Sequence, residues 1–73
     1  MAQEIIEVPL TGKIITVNVK QGDKVEEGDI ICLLESMKME NPILAPVSGT
    51  IAEIGVTPEQ VVKPGGTIAI IEY

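Results

Sequence analysis

An all-β fold, a flattened eight-stranded barrel or sandwich of two four-strand halves related by an approximate twofold axis, is what this sequence predicts. Three observations carry the prediction. The chain repeats itself: a displacement of 37 residues lays Pro9 on Pro46, Gly12 on Gly49, Val19 on Val56, Val25 on Val62, Gly28 on Gly65, Ile31 on Ile68 and Glu35 on Glu72, without a gap. Such self-similarity marks two copies of one supersecondary unit. The apolar residues, 45% of the chain, include no Phe or Trp and a single Tyr, so the core must be built from Ile, Val and Leu, which suit strands. No window carries the apolar i, i+3, i+4, i+7 repeat of an amphipathic helix. With 73 residues the expectation is one domain over residues 1–73, burying roughly 60% of its unfolded surface.

Taken in order, residues 4–8 (EIIEV) read as the first strand, broken by Pro9 to Gly12. Lys13 to Val19 is rich in β-branched residues and alternates, with Ile15, Val17 and Val19 on one face and Ile14, Thr16 and Asn18 on the other, a half-buried strand. Gln21 to Asp23 form a turn, Val25 is an isolated apolar plug, and Glu26 to Asp29 form a second turn with Gly28 at its φ > 0 position. Ile30 to Leu34 is an unbroken apolar run, expected to be a strand covered on both faces. After the centre the order recurs in Ile43 to Ala45, Thr50 to Val56, Val62, the turn Pro64 to Gly66, and Thr67 to Ile71. Pro58, Glu59 and Gln60 stand where the first copy has Gln21, Gly22 and Asp23, so that turn is expected to differ in detail. Each half leaves an apolar face wet on its own, so the two must cover one another. The chain ends then fall at one pole of the dyad and the central connector at the other.

Eleven acidic residues against five basic ones give a formal net charge of -6, with no His. Nucleic-acid binding needs a basic stripe and stacking aromatics, and this chain has neither. No apolar run approaches the roughly 20 residues of a spanning helix, and the start MAQEIIEV lacks the layout of a signal peptide. The expectation is a protein of the cytoplasm, or of the mitochondrial matrix in a eukaryote, without membrane insertion. Cys32, the only cysteine, lies inside an apolar run and reads as a small buried hydrophobe. One Cys and no His leave no inventory for a zinc site or for a Ser/His or Cys/His nucleophile.

The stretch between the copies, ESMKMENPI from Glu35 to Ile43, is the part not duplicated. If Ile30 to Glu35 and Met39 to Leu44 are neighbouring strands, Met37 and Lys38 alone must reverse the chain. Two-residue hairpins favour Asn-Gly or Gly-X because their central residues need φ > 0, and Met-Lys is a poor choice by that rule. A local rule broken at the one unduplicated point suggests side chains kept for what they do. Lys38 would project from a rigid support as an accessible amine, an attachment point for a carried group, although a solvated surface lysine is the commoner case. Met37 and Met39 could be adaptable core filler, a reading that alternation supports for one of them, or soft contacts for a partner.

At these residues the chain resembles a known family. Glu35-Ser36-Met37-Lys38-Met39 is similar to the attachment motif of biotinyl domains, with Ser36 where Ala is usual. The frame of Pro9 to Gly12, Gly22-Asp23, Val25, Gly28-Asp29, Ala45-Pro46 and Gly49 matches as well, so the resemblance covers nearly the whole chain. It implies a barrel-sandwich hybrid fold and a biotin carboxyl carrier with no catalytic residue and no metal. Lys38 would carry biotin covalently, Met37 and Met39 would be its recognition flanks, and Glu35 and Ser36 would complete the motif. The partners implied are a biotin protein ligase and the biotin carboxylase and carboxyltransferase, or decarboxylase, subunits between which the carboxyl group moves. The gapless repeat leaves no room for the thumb loop of some members.

Two other readings compete. A lipoyl domain shares the barrel and a lysine at the same tip, but that lysine usually sits between Asp and Ala, not between two methionines. An unmodified hybrid-barrel interaction module would explain the fold but not the broken turn rule. An enzyme is disfavoured, because Glu35 and Glu40 flank a tip and not a cleft.

Overall fold

Eight strands form among residues 2–73, the residues that the computed structural model describes: β1 (Gln3–Glu7), β2 (Gly12–Val17), β3 (Lys24–Val25), β4 (Ile30–Ser36), β5 (Met39–Leu44), β6 (Gly49–Ile54), β7 (Val61–Val62) and β8 (Thr67–Glu72). They make two antiparallel four-stranded sheets, β1-β8-β6-β3 and β5-β4-β2-β7. Each sheet takes two strands from each copy of the repeat, so each half covers the other, as the exposed apolar face of a lone half requires. The loops obey the repeat too. The bonds Gly22 N to Ile51 O and Ile51 N to Asp23 O recur as Glu59 N to Ile14 O and Ile14 N to Gln60 O, all within 2.7–2.8 Å. The chain ends meet, Ala2 and Tyr73 exchanging both backbone bonds at 3.0 Å. In the repeat that pair stands where Ser36 and Met39 pair beneath the central connector.

The core lies between the sheets. Ile14, Ile31, Leu34, Ile51, Ile68 and Ile71 are its largest fully enclosed side chains, with the plugs Val25 and Val62 closing it. Cys32 is enclosed there as well, and burial pushes its thiol up to about 11, an inert packing residue.

Three expectations are corrected. Ile14, and not Ile15, shares the inward face with Val17 and Val19, because the β2–β4 register shifts between Ile14 and Thr16. That bulge at Ile15 inverts the alternation midway, after which Val17 and Val19 do pack against the core. The second correction concerns β4, which is covered on one face only. Ile30 is 44% exposed and Leu33 half-buried, and the consecutive burial of Ile31 and Cys32 comes from a register shift between Ile30 and Cys32. The third concerns the turn at residues 57–60, whose backbone keeps the form of the turn at 20–23. Glu59 takes φ 74 where Gly22 takes φ 93, and Gln60 Oε1 accepts from Thr57 N at 3.0 Å as Asp23 Oδ2 accepts from Lys20 N at 3.0 Å.

Gly12 and Gly49, read from sequence as turn signals, serve close approach instead. A Cβ on Gly12 would lie 2.3 Å from Glu35 O, and one on Gly49 2.3 Å from Glu72 O. No side chain fits there, so β2 runs tight beneath the end of β4, and β6 beneath the end of β8.

Candidate functional site

The β4–β5 hairpin ends in the register Glu35 opposite Glu40 and Ser36 opposite Met39. Only Met37 and Lys38 remain to reverse the chain, and both adopt left-handed backbone, φ 53 and φ 66. Two successive φ > 0 residues make a type I′ turn, whose twist matches that of the flanking strands. For L-residues that conformation costs roughly 1–2 kcal/mol each. A sequence selected for stability alone would place Asn-Gly here.

The turn is held from below. Ser36 Oγ donates to Thr11 O at 2.8 Å, tying the hairpin to the loop that enters β2. Asn41 Nδ2 donates to Leu34 O and to Met39 O, each at 3.3 Å, stapling β5 to β4 two pairs back from the closing Ser36–Met39 pair. Backbone contact at Gly12 closes the other side. The strained turn thus stands on a fixed base. Thr11 and Asn41 were not singled out by sequence reasoning. Thr11 donates nothing from its side chain, so its carbonyl left no signal, and Asn41 read as an ordinary strand residue.

Above that base everything is open. Met37 is 93% exposed and Met39 66%, so neither is core filler, and the packing reading fails for both. Lys38 is exposed and has neither an ion-pair nor a hydrogen-bond partner among the described residues. Their one ion pair is Lys13 Nζ to Glu59 Oε2 at 2.7 Å. Two surface concavities, one bounded by Lys24, Ser48 and Thr50 and the other by Val8, Val56 and Pro64, lie on the flanks. Neither includes a residue from 35 to 40. The arrangement presents an amine with two flexible thioethers beside it, on a four-carbon stem clear of the body. A group joined to Nζ would meet no steric obstacle, and an enzyme could enclose the tip without unfolding anything.

No cluster of three or more His, Cys, Asp or Glu side chains suited to a metal occurs among the described residues, and among them no helix is long and apolar enough to cross a membrane.

Comparison with known proteins bears on the same stretch. A family model described as biotin-requiring enzyme matches residues 4–71. The chain is 38% identical over 68 residues to the biotinylated protein TB7.3 homolog of Mycobacterium leprae, covering 93% of this chain and 96% of that protein. It is 39% identical over 70 residues to the biotin carboxyl carrier protein of Streptococcus mutans, covering 96% of this chain and 54% of that one. Among solved structures it superposes on the urea carboxylase of Kluyveromyces lactis with a TM-score of 0.89 at 29% identity, over 99% of this chain and 6% of that one. The chain therefore spans nearly the whole of the first, about half of the second and a small part of the third.

Proposed function

We propose that in this chain, which belongs to the biotin-requiring enzyme family, Lys38 is the residue that carries biotin. The carrier role is the family's, and biotin is its cofactor. What supports Lys38 as the position is one observation: the strained Met37-Lys38 turn, braced from below, holds a solvent-exposed, unpaired amine between two exposed methionines. The other four lysines lie outside that hairpin, and Lys13 is committed to Glu59.

Loading is an acyl transfer. Lys38 Nζ attacks the acyl carbon of biotinyl-adenylate, a C–N amide bond forms, the bond to AMP breaks, and AMP leaves with the electron pair. Only the neutral amine is a nucleophile, so the biotin protein ligase takes its proton; neither Glu35 nor Glu40 is ion-paired with Nζ. One positive charge disappears, taking the formal net charge from -6 to -7. Met37, Met39, Glu35 and Ser36 act in this step as the surface the ligase recognises. Exposed methionines suit that role because their rotatable thioethers mould to a partner at low cost.

When attached, biotin supplies the ureido nitrogen on which a carboxyl group travels. The chain itself contributes position. The single domain, residues 1–73, acts as one carrier unit that presents the arm at an effective concentration on the order of mM at each enzyme site it visits. Those sites belong to a biotin carboxylase and to a carboxyltransferase or decarboxylase, in the compartment that holds them, the cytoplasm or the mitochondrial matrix.

Co-expression with a biotin protein ligase tests the assignment. Intact-mass measurement should find one biotin joined with loss of water, peptide mapping should place it on Lys38, and Lys38→Arg should abolish it with an unchanged thermal midpoint. Loading that survives Lys38→Arg refutes the assignment, and a lipoyl adduct would be told apart by its mass.

A further inference from the structure

The two copies of the repeat supply an internal control for the outer surface of each sheet. On the outer face of β5-β4-β2, cross-strand rows run Glu40–Glu35–Lys13, then Pro42–Leu33–Thr16, then Leu44–Ile30. The same register positions on β1-β8-β6 carry Gln3–Glu72–Thr50, then Ile5–Ile70–Glu53, then Glu7–Thr67. The fold is satisfied by Glu7 and Thr67 at the third row. Leu44 (48% exposed) and Ile30 (44% exposed) at that row are therefore not demanded by it. With Pro42 and Leu33 they carry the apolar surface over two rows on the sheet that bears Lys38, whereas on the other sheet it stops at one row, Ile5 (52% exposed) with Ile70. Contiguous exposed apolar surface of this kind marks contact sites.

The first row differs as well. Gln3 Nε2 donates to Glu72 Oε2 at 3.4 Å, whereas the equivalent pair is Glu40 directly opposite Glu35, a like-charge pair that destabilises a sheet. Lys13, which stands opposite Glu35, gives its ammonium to Glu59 at 2.7 Å. Two carboxylates thus lie between the tip and the apolar strip, set to receive a cation from outside.

We infer that the strip Ile30, Leu33, Pro42 and Leu44, with Glu35 and Glu40 at its end, is the docking surface for the biotin protein ligase, through an apolar patch rimmed by Arg or Lys. The inference rests on Lys38 being the loaded residue. A second copy of this chain would set four carboxylates together between two bodies of net charge -6, which charge repulsion opposes. The loading enzyme fits better than the carboxyl-transferring ones for a reason of reach. Before loading, the reacting nitrogen stands only a four-carbon stem from the backbone, so the ligase must close over the hairpin and the sheet beside it. After loading, the arm is longer by an acyl chain and two rings, and the body can stand further off.

The test takes its substitutions from the repeat: Ile30→Thr copies Thr67, and Leu44→Gln is the uncharged relative of Glu7. Because the other sheet folds with such residues, the double variant keeps its thermal midpoint. Its loading by a purified ligase should show KM raised about tenfold, equivalent to about 1.4 kcal/mol, with kcat within about twofold. Glu40→Gln should raise KM severalfold at low salt and by less at high salt. Glu7→Leu/Thr67→Ile, which builds a strip on the opposite sheet, should leave KM unchanged. An unchanged KM in the Ile30/Leu44 variant overturns the inference. So does an unchanged loading KM with slowed carboxyl transfer, or a wild-type dimer that the variant dissolves. Failure of the Lys38 assignment is seen separately, as wild-type loading mapped to another residue.

Discussion

The Met37-Lys38 turn stores strain, and releasing it should exchange function for stability by a measurable amount. The perturbation is Met37→Asn/Lys38→Gly, which installs the dipeptide a type I′ turn prefers. Both wild-type residues sit in the left-handed region, at φ 53 and φ 66, at roughly 1–2 kcal/mol each. Asn recovers part of its share, and Gly recovers all of its own but loses roughly 0.5–1 kcal/mol of chain entropy. The side chains contribute nothing to the core, since Met37 is 93% exposed and Lys38 has no partner among the described residues. The net gain is about 1–2 kcal/mol, which for a domain of this size raises the thermal midpoint by roughly 5–15 °C. Calorimetry or circular dichroism reads the shift, urea titration checks that the m-value is unchanged, and the loading assay should give nothing. A midpoint that stays or falls would refute the idea that the dipeptide is kept at the expense of stability.

Further outcomes follow from other parts of the frame. Gly12→Ala drives a Cβ to 2.3 Å from Glu35 O and 2.9 Å from Leu34 Cδ1; it should cost about 2–3 kcal/mol or more and slow loading, since it displaces the base of the tip. Gly49→Ala, 2.3 Å from Glu72 O, should cost as much and leave the loading rate alone, a comparison made by urea titration beside ligase kinetics. Glu59→Gly frees a left-handed residue at φ 74 and should raise the thermal midpoint at neutral pH. It should also flatten the pH profile. Hydrogen bonding and charge from Lys13 hold the Glu59 carboxyl below 4.5, stability lost as pH falls through the folded value, and the same contacts hold Lys13 above 10.5, stability lost as pH rises through it. The Cys32 thiol is raised by burial from 9.0 to about 11, so its contribution is intact below pH 9 and falls by about 1.4 kcal/mol per pH unit up to pH 11. Cys32→Val should remove that alkaline slope, as read by urea midpoints from pH 8 to 11.

Much of this was legible in the chain because duplication doubles each signal. The eight strands, the closure of each half by the other and the two-residue connector all follow from laying Pro9 on Pro46 and reading what is left over. What escaped was phase and contact. A bulge at Ile15 costs one residue of register, and nothing in KIITV says whether the extra residue lies at Ile14 or Ile15, so Ile15 was grouped with Val17 and Val19 where Ile14 belongs. Gly12 looked like a turn residue because sequence cannot distinguish a glycine that needs φ > 0 from one that needs an absent Cβ. The turn at Thr57 to Gln60 was expected to differ from its partner because Glu replaces Gly. The ladder bonds to Ile14 on both sides of that turn fix its backbone, and Glu59 takes the left-handed conformation that they impose. The hairpin braces escaped because Thr11 acts through a carbonyl, which every residue has.

The repeat also separates what the fold requires from what the function requires. Where both copies agree at tight or buried places, the fold dictates the residue, as for Gly12 with Gly49, Val25 with Val62 and Ile31 with Ile68. Where they differ at exposed places of equal backbone geometry, the fold is indifferent and another constraint has acted. Met39 against Ala2, Glu40 against Gln3, and Ile30 with Leu44 against Thr67 with Glu7 all fall in this second class. Each of them lies on the hairpin that bears Lys38 or on its outer face. Substitutions in the first class should therefore change stability in pairs across the dyad, and those in the second should change loading from one side only.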